Sequence, residues 1–100
     1  MSFEHEAGRL RKLARDCTAL IFFTGHGEDE RGKDGIPKLD IVKMLGRCTV
    51  TLVETNKETG EEEWRAEGTD CDGRKIAAVV VVAEDVKEIK VVTTWAQGRK

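Results

Sequence analysis

His26 is the side chain in this sequence best suited to acid or base chemistry. It follows Thr18 to Thr24, a short apolar run rich in β-formers, and stands near the start of the glycine-rich stretch Gly25 to Gly35. An imidazole with an intrinsic pKa of about 6.5 exchanges protons near neutrality. The stretch does not spell a phosphate loop: it lacks the Gly-Lys-Ser/Thr ending that supplies a lysine and a metal-binding hydroxyl, and its acids repel phosphate. It is no calcium loop either, because alternate oxygen ligands and a terminal glutamate in register are missing. Two readings of His26 therefore stand. It is a general acid or base at a strand end, or it belongs to a connector in which it caps or packs locally, and the residues alone favour the connector.

Cys17, Cys48 and Cys71 are odd in number, widely spaced and without a Cys-x-x-Cys pair. They read as free thiols buried as small hydrophobes, ahead of a zinc site completed by His26, whose ligands would stand closer together. Asp70-x-Asp72-Gly73 is a poor calcium loop because its glycine comes too early. No metal and no cofactor is implied.

The elements that must position these groups fit in one domain. The 100 residues are 39% hydrophobic and 36% charged, with a net charge of −2. That balance predicts a globular chain and gives no help to nucleic-acid binding, which usually draws on a basic face. The longest apolar run, Ile76 to Ala83, is far below the roughly 20 residues of a membrane helix, so no membrane partner is expected. Met1 to Glu6 lacks the basic start and apolar centre of a secretory signal, which predicts a cytoplasmic location.

Phe3, Ala7, Leu10, Leu13 or Ala14, and Cys17 recur at steps of three and four and predict an amphipathic helix over Glu4 to Asp16. Much of its remaining surface carries Glu4, Arg9, Arg11, Lys12 and Arg15, read as a solvated face ahead of a phosphate-contacting one. Pro37 at a first turn, the apolar run Leu39 to Leu45, and Gly46 at the end predict a second helix. A hairpin follows, with Cys48 to Thr55 alternating Val50 and Leu52 against Thr49 and Thr51, and Glu62 to Thr69 placing Trp64, Ala66 and Gly68 on one face. Asp72-Gly73 makes the next tight turn. Ile76 to Ala83 is apolar on both faces and therefore central, and Lys87 to Trp95 alternates, with Ile89, Val91, Thr93 and Trp95 sharing a face.

Several of these residues form a recurring arrangement. Gly68 precedes an Asp72-Gly73-Arg74 turn, an apolar central strand and a Val91 to Trp95 strand; before them come Phe23-Thr24-x-His26 and an Ile36-x-x-x-Asp40-Ile41-Val42 helix. Together they resemble a small bacterial and phage domain family that is distantly similar to the BrnT toxins and, through them, to the RelE-type ribonuclease toxins. The resemblance implies an α+β fold, with an antiparallel sheet of four to five strands and two or three helices packed on one face. It also implies a toxin-like, metal-independent endoribonuclease, in which one group takes the 2′-hydroxyl proton, another protonates the leaving oxygen and cations steady the phosphate. By that likeness His26, Arg65 and Arg74 are the catalytic set and Lys90 binds phosphate. The implied partners are RNA and an antitoxin or other protein, with self-association left open.

The alternative is a non-catalytic protein-binding module of the same fold that uses its open sheet face or edge. Catalysis requires His26 and the basic side chains to converge in one cleft; a binding module leaves them scattered. Trp64 and Trp95 read first as core anchors, and an exposed tryptophan on the sheet favours a binding surface under either reading.

Overall fold

The computed structural model describes residues 3–24, 35–70 and 72–97. Two helices, α1 (Glu4–Arg15) and α2 (Lys38–Leu45), cover one face of a five-stranded sheet made by β1 (Leu20–Phe23), β2 (Thr49–Thr55), β3 (Glu62–Thr69), β4 (Lys75–Ala83) and β5 (Glu88–Ala96). The strand order is β1-β5-β4-β3-β2. The fold is thus α+β with helices on one side, as the sequence predicts. Among the described residues no helix is long and apolar enough to cross a membrane.

The sheet is mixed, not purely antiparallel. Three hairpin connections make β2 to β5 antiparallel, whereas β1 runs parallel to β5, pairing Leu20 with Glu88 and Phe23 with Val91. Turn residues dictate direction only between strands joined by a short turn, and β1 has no such link to its neighbour. The apolar run of β4 is explained by its place at the centre of the sheet.

Ala7, Leu10 and Leu13 of α1 and Ile41, Met44 and Leu45 of α2 form the helical half of the core, over Ala66, Ile76, Val80, Ile89 and Val91. Glu4 and Glu6 lie in the first turn of α1, and Lys12 and Arg15 in its last, matching the helix dipole. Pro37, in extended backbone, stands immediately before α2. Cys17 is a correction to the apolar stripe: α1 ends at Arg15, so the thiol of Cys17 is exposed while that of Cys48 is buried. Cys71 lies outside the described residues.

Two bulges reset the alternation expected from the sequence. In β2, Val50 faces Ala66 and Leu52 faces Arg65, so Thr51 is extra. In β5, Val91 faces Val80 and Thr93 faces Val79, so Val92 is extra. Each extra residue swaps the faces of all that follows on its strand. Val50 therefore enters the core while Leu52, which should share its face, stands 40% exposed on the opposite one. Likewise Thr94 and Ala96 turn inward, and Thr93 and Trp95 leave the face of Ile89 and Val91 for the helix-free side.

The β3–β4 connection is built around Asp70. Its Oδ1 accepts from the backbone N–H of Asp72 at 2.9 Å and of Arg74 at 2.8 Å, and its Oδ2 from Arg74 Nε at 3.0 Å. Gly73 completes the turn at φ 83°, a conformation costly for a residue with a Cβ.

Candidate functional site

The helix-free face of the sheet presents Leu20 and Phe22 from β1, Lys90, Thr93 and Trp95 from β5, Val79 and Val81 from β4, Glu63, Arg65 and Glu67 from β3, and Leu52 and Glu54 from β2. Phe22 and Leu20 are 38% and 55% exposed. The face is therefore apolar at its β1 edge and along central β4, and charged where β2 and β3 meet.

Arg65 lies over Trp95, its guanidinium carbon 5.1 Å from the ring centroid, and its Nε is 3.0 Å from Glu67 Oε2. Planar cation and ring fix each other while the carboxylate cancels the charge. Glu67 is held by more than Arg65: Thr51 Oγ1 donates to it at 2.7 Å and Gln97 Nε2 at 3.0 Å. Burial alone raises the pKa of Glu67, but these donors and the nearby Arg65 outweigh it and leave the carboxyl below its ordinary value.

A pocket of about 200 Å³ opens beside this stack, walled by Leu52, Val79, Trp95 and the Arg65 stem, with Glu54 and Glu63 at its edge. Glu54 and Glu63 stand directly opposite each other across β2 and β3. Like charges in that position repel, so the pair is a cost to the free protein. Asn56 Nδ2 donates to Glu63 Oε2 at 3.0 Å, whereas Glu54 has no hydrogen bond or ion pair among the described residues. An apolar slot ending in an unpaired carboxylate suits a long basic side chain, whose methylenes pack on the walls while its head meets the acids.

The residues singled out from the sequence are distributed as follows. Arg65 and Lys90 share the open face, and Lys90 Nζ is 2.8 Å from Glu61 Oε1. Arg74 belongs to the β3–β4 turn, bound to Asp70. All three candidate cations thus already hold a carboxylate. His26 lies outside the described residues. Of the tryptophans, Trp64 is a core anchor capped by Arg9, whose guanidinium carbon lies 5.3 Å from the ring, and Trp95 is the one on the open face. The buried Cys48 thiol, pushed up to about 11 by desolvation, is no nucleophile at neutral pH. Among the described residues no group of histidine, cysteine and acidic side chains is arranged to hold a metal ion.

Glu54, Glu63 and Leu52 were not singled out. Counting outward from the Asn56 to Gly60 turn pairs Thr55 with Glu61 and Glu54 with Glu62, one residue away from the observed Glu54 and Glu63 pair, so neither that register nor the bulge that turns Leu52 toward it was visible in the sequence.

No family model matches the chain, and no curated protein or solved structure is similar enough to it to count as a match.

Proposed function

We propose that the chain is a non-catalytic protein-binding module whose open sheet face grips a partner segment by one lysine or arginine and the apolar residues beside it. The observation that carries this reading is the opposed, like-charged pair Glu54 and Glu63 at the edge of a pocket with Leu52, Val79 and Trp95 for walls. A cation from a partner relieves the repulsion, and Leu20, Phe22 and Leu52 offer apolar area for the flanking residues. Charge complementarity thus defines the partner: a segment bearing a basic side chain among apolar ones. An antitoxin segment of that composition is one such partner.

The endoribonuclease reading draws less support from the same face. Phosphates approaching it meet Glu54, Glu61, Glu63 and Glu67, while Arg65, Lys90 and Arg74 are each engaged by a carboxylate. Such pairing lowers the free positive potential that attracts a polyanion.

The test is a selection from a random peptide display library on the native protein, counter-screened against Glu54→Lys. Enriched peptides should carry a lysine or arginine flanked by apolar residues and be lost on the variant. Peptides lacking a basic residue, or binding both proteins equally, overturn the proposal. In parallel, native protein and His26→Ala incubated with cellular RNA should both leave it intact; cleavage by the native form alone restores the nuclease.

A further inference from the structure

A second charged feature lies on the helical side of the molecule, remote in character from the open face. A groove of about 330 Å³ runs between the ends of α1 and α2, with Ala14, Val42 and Gly46 as its apolar lining and Arg15, Lys43 and Arg47 around it. Among the described residues no carboxylate lines it. We propose that this groove is a binding site for a multiply charged oxyanion of the phosphate or pyrophosphate class, held by Arg15, Lys43 and Arg47.

The alternative explanation of these cations is that they only complement two helix C-termini. Each terminus carries about half a negative charge, so two ends balance about one cation and leave about two charges uncompensated. The terminal carbonyls are also partly satisfied from the backbone: Gly46 N donates to Lys43 O at 3.2 Å, Arg47 N to Met44 O at 3.0 Å and Asp16 N to Leu13 O at 3.1 Å. Side-chain acids do not fill the gap. Among the described residues Arg15, Lys43 and Arg47 have no ion pair, although six other basic side chains do. Asp16, next in sequence to Arg15, is turned to Thr18 and Lys87, and Asp70 is committed to Arg74 and its own turn. In a chain of net charge −2, three neighbouring unpaired cations are a local reversal of sign.

The three side chains are also positioned by the fold. The Arg15 stem lies over Gly46: a Cβ there would stand 3.4 Å from Arg15 Cγ, so a bare backbone lets the guanidinium reach across α2. Arg47 is anchored by donating to Thr69 O at 2.8 Å. A guanidinium has five N–H donors, so most of the fork remains for an oxyanion.

The experiment is an amide chemical-shift titration of the intact chain with sodium pyrophosphate, inorganic phosphate and chloride, at constant ionic strength and neutral pH. Saturable shifts at residues 14–15 and 43–47 are expected with both phosphates, half-saturating at lower concentration for pyrophosphate, and none with chloride. Arg15→Gln with Lys43→Gln should weaken binding about tenfold, and Lys57→Gln on the β2–β3 turn should leave it unchanged. The spectrum reports the fold of each variant, and the exposed Lys43→Glu alone serves if the double variant loses its native dispersion. Equal shifts with chloride, linear unsaturable shifts, or folded variants that bind as the native protein does would overturn the site. Peptide binding at the open face plays no part in this readout, so the two proposals fail separately.

Discussion

Asp70 is nearly buried and supports the β3–β4 turn with both carboxylate oxygens. Burial pulls its pKa up; the N–H groups of Arg74 and Asp72 and the Arg74 guanidinium pull harder, and the carboxyl rests below its ordinary 3.8. A depressed folded-state value stabilises the fold above the unfolded pKa, and that contribution is lost as pH falls through the folded value. Asp70→Asn replaces one of the two acceptor oxygens by an NH2 donor, so it cannot serve both the turn N–H groups and Arg74 Nε and should melt at a lower temperature than the native chain at pH 7. Thermal scans should show the gap closing below about pH 3.8. Thr94 has the opposite character. The β5 bulge turns it inward, where its hydroxyl is fully buried without a hydrogen-bond partner among the described residues. Thr94→Val keeps the shape and removes the unsatisfied group, so denaturant melts should show a gain of about 1 kcal/mol.

The packing of α2 on β3 depends on Gly68. A Cβ at that position would come within 2.6 Å of Met44 Cγ, and Met44 is fully buried, so it has little space into which to retreat. Gly68→Ala should cost about 1–3 kcal/mol, read as a lower denaturation midpoint with an unchanged slope. The strands themselves could be read from composition and turns: Glu62 to Thr69 coincides with β3, and the Trp64, Ala66, Gly68 face is the one on the core. What the alternation could not convey was a change of phase. Thr51 and Val92 look like ordinary β-formers, yet each adds one residue against its partner strand and reverses everything beyond it. For this reason Leu52 and Trp95, assigned inward by parity, form the open face, and the site most dependent on them was the least visible. The direction of β1 escaped for a related reason, since no turn residues encode a pairing between chain segments so far apart. His26 gained nothing from the structure, being outside the described residues.

At the scale of the molecule, two surfaces of opposite character stand out among the described residues. Facing away from the helices, a partly aromatic surface joins β2 and β3 through opposed carboxylates; between the helix ends, three cations stand without acids. Pairing elsewhere, such as Arg9 with Glu84 and Lys87 with Asp16, ties α1 and the chain after it to the β4–β5 connection. Local surplus charge of one sign directs which partner approaches. An acidic pocket with apolar walls fits the proposed protein-binding module better than an enzyme acting on a polyanion.

The most direct trial of that account is calorimetric titration of a display-selected, lysine-bearing peptide into the native chain and into Glu54→Gln. Removing one of two opposed charges should raise the melting temperature of the free protein yet weaken the peptide about tenfold, because the same repulsion that destabilises the empty pocket favours the bound cation. Unchanged peptide affinity in a variant whose fold is intact would contradict the account.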